Sequence, residues 1–393
     1  MAYALTKKAL VLDLYVAFYC AKKHKSGRSY VLHFEHNLKR NIEQMAEELF
    51  ARSYHPKPSS CFIIEYPKKR EVFAAQFRDR IVHHLYFNYV HEMFERTFIQ
   101  DTYSCIKGRG THYGIERLRH HIRSESRNYT IPCYGLKLDK RGYFMHIDRS
   151  RLLKIATDSI NKMSSKKVSK YSNVLWRDVI DVDFVLWLTE KIVTLDPQSN
   201  CRVVGKEEDW VGLDPAKRLL YAPKGCGLPI GNLTSQLLSN VYLNVFDQFM
   251  KRTLKCRHYG RYVDDSYVIS TDKQWLQSLI PHIRSFLWEQ LGLELHMGKL
   301  IIVDVRKGME FLGAFVKPYV TYISNASLNR IVYNINNYKS KDKSKIFHRT
   351  NSYLGVMSHY ATFNIRCRLF LNEETLSVAP FDRNILKMRT PKK

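Results

Sequence analysis

Apolar residues at Leu38, Ile42, Met45, Ala46 and Leu49 recur at helical spacing, so residues 35–52 are predicted to form an amphipathic helix. Ahead of it, Ala9 to Ala21 is apolar but carries Asp13 at its centre. That stretch opens after Lys7-Lys8 and runs into Lys22-Lys23-His24-Lys25. It is too short to span a bilayer and lacks a small-residue cleavage site, which predicts an amphipathic helix rather than a span or leader. His55-Pro-Lys-Pro58 breaks the chain; Cys61 to Tyr66 then reads as a short strand and residues 76–96 as an aromatic-rich helix. From Tyr134 to Asp139, Tyr134, Leu136 and Leu138 alternate with Gly135, Lys137 and Asp139, the period of a strand. Helices are predicted over Arg151–Asn161, Val182–Val193, Leu233–Leu254 and Trp275–Leu291. The intervening residues 196–227, punctuated by Pro197, Gly205, Gly212, Pro215, Pro223, Gly225 and Gly227, read as irregular. Tyr259 to Ser270 reads as strand, tight acidic turn and strand, and Met309 to Phe315 as one short strand. From about Ser324 the chain becomes basic, Asn- and Tyr-rich and helical, which sets a boundary there. The order of elements is that of an α+β fold, an antiparallel sheet backed by helices with appended lobes.

Charge narrows the class of partner. Across 393 residues, 63 Lys and Arg stand against 37 Asp and Glu, a net of +26. An anionic partner relieves self-repulsion on that scale, whereas a merely soluble basic surface leaves it unrelieved. With 25 Tyr and 20 Phe among the basic residues, nucleic acid is the leading partner, through backbone contacts and base stacking. The eight cysteines are scattered without a Cys-x-x-Cys pair, which argues against a zinc ribbon or a disulfide scaffold and for reduced thiols in a cytoplasmic compartment. The pairs His83-His84, His120-His121 and His33 with His36 lack Cys or carboxylate partners at ligand spacing, so surface, core or phosphate-facing roles are expected.

The sharpest local signal is Arg261-Tyr-Val-Asp-Asp-Ser-Tyr-Val-Ile-Ser270, two adjacent carboxylates in a turn between apolar strands. Asp-Asp alone is often a plain hairpin tip. A second strand, however, ends in Asp139, followed by Lys140-Arg-Gly-Tyr-Phe144. Phosphoryl transfer needs carboxylates from separate elements to hold two divalent ions about 3.5–4 Å apart. Mg²⁺ suits such oxygen ligands and accepts substrate phosphates in its shell, with Mn²⁺ as an alternative ion.

Asp139 to Phe144, Tyr262-Val-Asp-Asp265 and Phe311-Leu-Gly313 follow the order and spacing of the reverse-transcriptase palm, and the resemblance runs from about Tyr66 to Tyr319. Within that family the chain most resembles the reverse transcriptases of diversity-generating retroelements. The residues that carry this are Gly227-Leu-Pro-Ile-Gly-Asn-Leu-Thr-Ser-Gln236, Phe98-Ile-Gln-Asp-Thr-Tyr-Ser-Cys-Ile-Lys-Gly-Arg-Gly-Thr-His112 and Ala216-Lys-Arg-Leu-Leu220. Ile230 stands where most reverse transcriptases carry Gln, and Ser-Gln where most carry Ser-Pro. One departure is Lys140, where relatives usually place a β-branched residue.

The resemblance implies a right-hand polymerase: residues 1–60 as the N-terminal helical region of the fingers, 61–323 as fingers and palm, 324–393 as a basic helical thumb with a short tail. It implies RNA-directed DNA polymerase activity, with error-prone, adenine-mutagenised cDNA copied from a template-repeat RNA. Asp139, Asp264 and Asp265 would be catalytic metal ligands, helped by the Lys140 carbonyl. Lys69 and Arg70 would meet the triphosphate, and Arg78 or Arg80 the template or nascent pair. Phe144 would exclude a ribose 2′-hydroxyl, and Gly231 would border the nucleotide. Lys299 would protonate pyrophosphate, although a solvated lysine is the competing reading. Ile230 removes one hydrogen-bonding check on the nascent pair, worth about 1 kcal/mol. Lys107, Arg109, Gln236, Arg330 and Lys339 would contact nucleic acid, as would Lys341, Lys343, Lys345 and Arg349. Implied partners are a structured template RNA, the cDNA primer–template, deoxynucleoside triphosphates and a small basic oligomeric accessory protein, in a bacterial cytoplasm and without membrane. A retron, group II intron-like or phage-defence reverse transcriptase is the alternative, and an inactive RNA-binding scaffold a third reading.

Overall fold

The computed structural model describes residues 3–65, 68–337 and 342–389. Its strands are β1 (Ser59–Ile64), β2 (Arg70–Ala74), β3 (Tyr134–Leu138), β4 (Cys201–Val203), β5 (His258–Tyr262), β6 (Asp265–Ser270), β7 (Ile301–Asp304), β8 (Met309–Phe311), β9 (Ala314–Lys317) and β10 (Val320–Ile323). The helices are α1 (Lys7–Lys22), α2 (Ser29–His36), α3 (Leu38–Phe50), α4 (Phe77–Glu95), α5 (Thr111–Glu125), α6 (Tyr143–His146), α7 (Arg149–Ser164), α8 (Val182–Thr194), α9 (Leu233–Gln248), α10 (Lys273–Leu291), α11 (Asn325–Asn336), α12 (Lys343–Met357), α13 (Phe363–Phe370) and α14 (Glu373–Leu376). Mixed helices and largely antiparallel sheets make this the α+β chain expected. None of the described helices is long and apolar enough to cross a membrane.

Two compact units share these elements. The first takes residues 1–105, 139–255 and 280–297. There the Thr6 hydroxyl caps α1 by accepting from the Ala9 N–H, and Leu10, Leu14, Ala17, Phe18 and Ala21 make one buried stripe. That stripe packs on α3, which buries Ile42, Met45, Ala46 and Leu49, and on α4. The helix expected over 35–52 is divided at Asn37, which ends α2 and begins α3. Helices α4 and α9 are buried around most of their circumference and pack against each other, the sign of central helices.

The first unit's sheet has the order β2-β1-β4. Strand β4 corrects the expectation that 196–227 is wholly irregular: it runs parallel to β1, pairing Ser59 with Cys201. Three residues are too few for an alternating pattern to show in sequence. The first strand stops at Ile64, and Tyr66, its expected end, lies outside the described residues. The helix expected to reach Leu254 gives way at Phe249 to a π-helical turn, where the Phe249 ring stacks on Phe286 with centroids 3.9 Å apart.

The second unit takes 106–138, 256–279 and 298–393. Its antiparallel sheet has the order β5-β6-β3-β7, with α5 packed on β5 and β6. A second sheet, β10-β9-β8, corrects the single strand expected over Met309–Phe315. An apolar run conceals a tight turn there, with Leu312 and Gly313 both at positive φ (51° and 79°). Beyond the Ser324 cap, α11 to α13 enclose a core of their own that includes Ile331, Leu354, Met357 and Phe370.

Candidate active site

In the second unit, the pairing of Tyr262 with Asp265 leaves only Val263 and Asp264 in the hairpin turn. Asp264 therefore occupies the turn, whereas Asp265 is already the first residue of β6. Two-residue hairpin turns require positive φ at their first position, a place that favours glycine. Here it is Val263, at φ 54°. A β-branched residue in that region is a true outlier and persists only where its surroundings over-determine it. The restraint is visible one residue before the pair. Arg261 is fully buried, and its guanidinium donates to the Val263 carbonyl at 2.9 Å. Beneath the turn, Tyr259, Tyr267, Val268 and Ile269 are buried and anchor both strands.

Strand β3 lies beside β6 with Leu138 opposite Ser266 as the last pair, and Asp139 is the next residue of the chain. Gly135 on β3 is there for space, since a Cβ would lie 2.6 Å from the Met309 sulfur. Lys137 points its ammonium at Asp265, 4.0 Å from Oδ1. Asp264 and Asp265 are each half-buried, as is Asp139. Among the described residues, no group of three or more His, Cys, Asp and Glu side chains is drawn together as a metal site. Of the histidine pairs, His83 is buried in α4, where burial pushes its pKa down to about 4, and the His121 ring lies 5.0 Å from that of His258.

A polar network underlies the hairpin in the same unit. The Tyr267 hydroxyl lies 3.0 Å from His121 Nδ1, and an Arg117 nitrogen lies 3.1 Å from His121 Nε2. Arginine only donates, so His121 Nε2 accepts and Nδ1 carries the proton toward Tyr267. Arg261, Lys137 and this network all escaped sequence reasoning. The one available signal was an arginine placed in an otherwise apolar strand directly before the acidic turn.

In the first unit, residues 139–141 are fixed by backbone bonds. His296 N–H donates to the Asp139 carbonyl and Arg141 N–H to the Glu294 carbonyl, each at 2.9 Å. The Lys140 side chain is buried over the Phe246 ring, 4.9 Å from its centroid. Next, Tyr143 donates its hydroxyl proton to the Ser239 carbonyl at 2.6 Å, and the partly buried Phe144 turns onto an apolar cluster. Cys61, Phe73, Met145, Trp210, Leu213 and Leu219 form that cluster, and Ile230 packs on it too. Phe73 N–H donates to the Ile230 carbonyl at 2.8 Å. Gly231 follows at φ 122°, where a Cβ would lie 2.9 Å from Val72 Cγ1 and 3.1 Å from the Phe73 carbonyl oxygen. Phe144, Ile230 and Gly231 are thus brought to one wall.

The basic residues expected in the first unit divide into engaged and exposed. Arg70 is exposed at the start of β2, while Lys69 donates to the Val211 carbonyl and pairs with Glu65, both at 2.8 Å. Arg78 is ion-paired with Glu48, its guanidinium carbon 5.3 Å from the Tyr54 ring centroid. Arg80 donates from Nε to the Ala75 carbonyl at 2.7 Å and covers the Tyr30 ring at 5.2 Å. Both line a cleft of about 710 Å³ with Lys57, Tyr30 and Phe77. Gln236 is exposed and accepts from the Cys105 thiol at 3.5 Å.

In the second unit, Lys107 is exposed and Arg109 half-buried in the loop before α5; Lys299 and Arg330 are exposed. Lys343 and Lys345 lie in the first turn of α12, with Lys345 3.7 Å from Asp342. Arg349 bonds the Asn334 carbonyl and covers Tyr353 at 5.6 Å. Lys339 and Lys341 lie outside the described residues.

The chain is therefore a mixed α+β protein whose second unit sets Asp264 and Asp265 at the tip of an antiparallel hairpin. No protein-family model and no curated protein sequence matches it. Among solved structures it is similar to telomerase from Candida albicans in complex with a TWJ fragment of telomeric RNA. The TM-score is 0.47 at 12% identity, over 82% of this chain and 54% of that one. Apo telomerase from Candida tropicalis gives a TM-score of 0.46 at 12% identity, over 82% of this chain and 57% of the other. This chain spans little more than half the length of those telomerase chains.

Proposed function

We propose that the chain is an RNA-directed DNA polymerase, a reverse transcriptase that extends a primer on an RNA template by nucleotidyl transfer. The observation that carries this is the Val263–Asp264 turn, held in a strained conformation by a buried arginine. A hairpin tip without a task has no reason to keep valine at positive φ or to bury a guanidinium beneath it. Asp139, Asp264 and Asp265 are oxygen donors of the kind that divalent cations such as Mg²⁺ prefer, and each is half-buried and so open to a substrate phosphate. Asp139 and Asp264 would hold the ions, with Asp265 and the Lys140 carbonyl in support. Such ions, when bound, activate the primer 3′-hydroxyl and neutralise the triphosphate. The chain's own residues do the rest: Arg70 draws in the triphosphate, Lys69 braces the turn beside it, and the Phe144 ring excludes a 2′-hydroxyl. Lys299 supplies a proton to the leaving pyrophosphate, and exposed Arg330 follows the primer–template backbone.

The finer reading is the error-prone enzyme of a diversity-generating retroelement, working on a structured RNA with a small basic accessory protein. Its support is Ile230, an apolar side chain packed on the same cluster as Phe144 and offering the nascent pair no hydrogen bond. Loss of one such contact, about 1 kcal/mol, loosens discrimination by roughly fivefold. The test is extension of a primed RNA template with Mg²⁺, followed by sequencing of the cDNA from wild type and Ile230→Gln. Errors concentrated at template adenines, reduced by the substitution, support the finer reading. Accurate copying keeps the polymerase and returns the chain to the retron or intron alternatives. No incorporation, even with the element's RNA and accessory protein supplied, removes the polymerase itself.

A further inference from the structure

Away from the acidic turn, the second unit carries a second concentration of backbone strain. Arg127, Asn128 and Tyr129, directly after α5, all have positive φ (48°, 57° and 68°). Only asparagine among them adopts that region readily, and such residues normally occur singly. The turn is closed by local bonds: Asn128 N–H donates to the Arg123 carbonyl at 2.8 Å and Tyr129 N–H to the Ser126 hydroxyl at 2.8 Å. Opposite it stands another outlier. Pro318 and Tyr319 form the two-residue turn between β9 and β10, and Tyr319 sits at φ 64°, a place that favours glycine. The Tyr319 hydroxyl donates to the Asn128 carbonyl at 3.2 Å, and its ring meets Tyr129 edge-on at 5.0 Å. Even so, Tyr319 is 78% exposed.

Cations line the same surface. Arg119, Arg123 and Arg127 follow one another at four-residue spacing along α5 and its exit, and Lys317 precedes the Tyr319 turn. Arg119 pairs with Glu116 at 2.8 Å, whereas Arg123 and Arg127 make no ion pair among the described residues. Arg119 and Arg123 both lie close enough to act on the Tyr129 hydroxyl. Arginine near a helix C-terminus is favourable in itself, which accounts for Arg123. It accounts neither for two tyrosines in left-handed backbone nor for an aromatic ring held in water, where glycine would be the relaxed choice.

We propose that this surface binds single-stranded RNA, with an unpaired base stacked on the Tyr319 ring and the flanking phosphates on Arg123, Arg127 and Lys317. An exposed ring beside cations that make no ion pair among the described residues, with Glu116 and Glu125 already engaged by Arg119 and His258, matches the chemistry of a sequence-tolerant single-strand platform. None of these residues has a part in the reaction proposed above, so the surface serves an RNA segment outside the copied duplex.

The test is binding of the full chain to a fluorescent single-stranded RNA carrying 4-thiouridine, with crosslink mapping, for wild type, Tyr319→Gly, Tyr319→Asn and Arg127→Gln. Glycine and asparagine both accept positive φ, so these variants remove the ring while keeping the turn, and the melting temperature should hold or rise. Affinity should fall about fivefold or more without the ring. The slope of log affinity against log salt should lessen by about 0.7 without Arg127. Crosslinks should fall on the peptides around 127–130 and 317–320, and a duplex of the same sequence should lack them. Wild-type affinity in all three variants, or crosslinks confined to other peptides, overturns the proposal; in that case a protein partner is left to explain the exposed ring.

Discussion

Glu71 on β2 is almost completely buried, and it collects the donors of a segment that has little sheet of its own. Its carboxylate accepts from the Trp210 indole N–H at 2.8 Å and from the backbone N–H groups of Leu219 at 2.6 Å and Leu220 at 3.3 Å. Arg218 lies 4.0 Å away. Glu71→Ala leaves two buried donors and one half-buried donor without an acceptor, and a guanidinium without its counter-charge. An orphaned buried donor costs about 1–3 kcal/mol, and breaking a buried ion pair about 3–5 kcal/mol; these overlap rather than add. The expected loss is therefore about 3–5 kcal/mol, a large fraction of an ordinary domain's stability. Glu71→Gln keeps the shape but turns an amide N–H₂ toward some of the donors, so about 1–3 kcal/mol is expected. Urea denaturation followed by tryptophan fluorescence measures both, with Trp210 reporting on the site. Because Trp210 and Leu219 belong to the wall that carries Phe144 and Ile230, Glu71→Gln should also weaken sugar discrimination. A Glu71→Ala protein within about 1 kcal/mol of wild type would refute this role.

Gly231→Ala should cost about 2–3 kcal/mol, because its Cβ would press on Val72 and the Phe73 carbonyl at a φ that disfavours side chains; thermal melting measures it. His83 is neutral in the fold, with its pKa lowered from 6.5 to about 4 by burial. The unfolded chain takes up that proton first, so stability present above pH 6.5 is lost as pH falls toward 4, by about 3 kcal/mol from this group. His83→Leu should flatten that part of the stability profile in urea melts taken across the range, and an unchanged slope would contradict it. Phe144→Ala should admit ribonucleotides in primer extension with little change for deoxynucleotides; continued exclusion would assign the ring to packing alone.

Long periodic segments were legible in the sequence. The stripe from Ile42 to Leu49 and the hairpin about Asp264 both occur, because helical spacing over many residues and alternating strands around an acidic turn each have few competing solutions. Strands β4, β7 and β10 were not legible: all are three or four residues long, and β4 and β7 also depend on partners far away in sequence. The turn at Leu312–Gly313 was hidden in an apolar run that reads as one strand. Around the acidic turn, residue types were legible and their restraints were not. Arg261 reads as a solvent-facing charge until burial shows its guanidinium beneath Val263. Glu71 likewise reads as a surface acid, since its partners Trp210 and Leu219 lie far along the chain.

On the proposed function, the strained turn presents Asp264 for nucleotidyl transfer. Single-turnover incorporation of a deoxynucleotide on a primed RNA template with Mg²⁺, compared between wild type and Asp264→Asn, tests it most directly. Asparagine keeps the turn's shape and removes the charge, so the melting temperature should hold while incorporation falls to background. Incorporation at the wild-type rate by Asp264→Asn would contradict the account, whatever the stability of the variant.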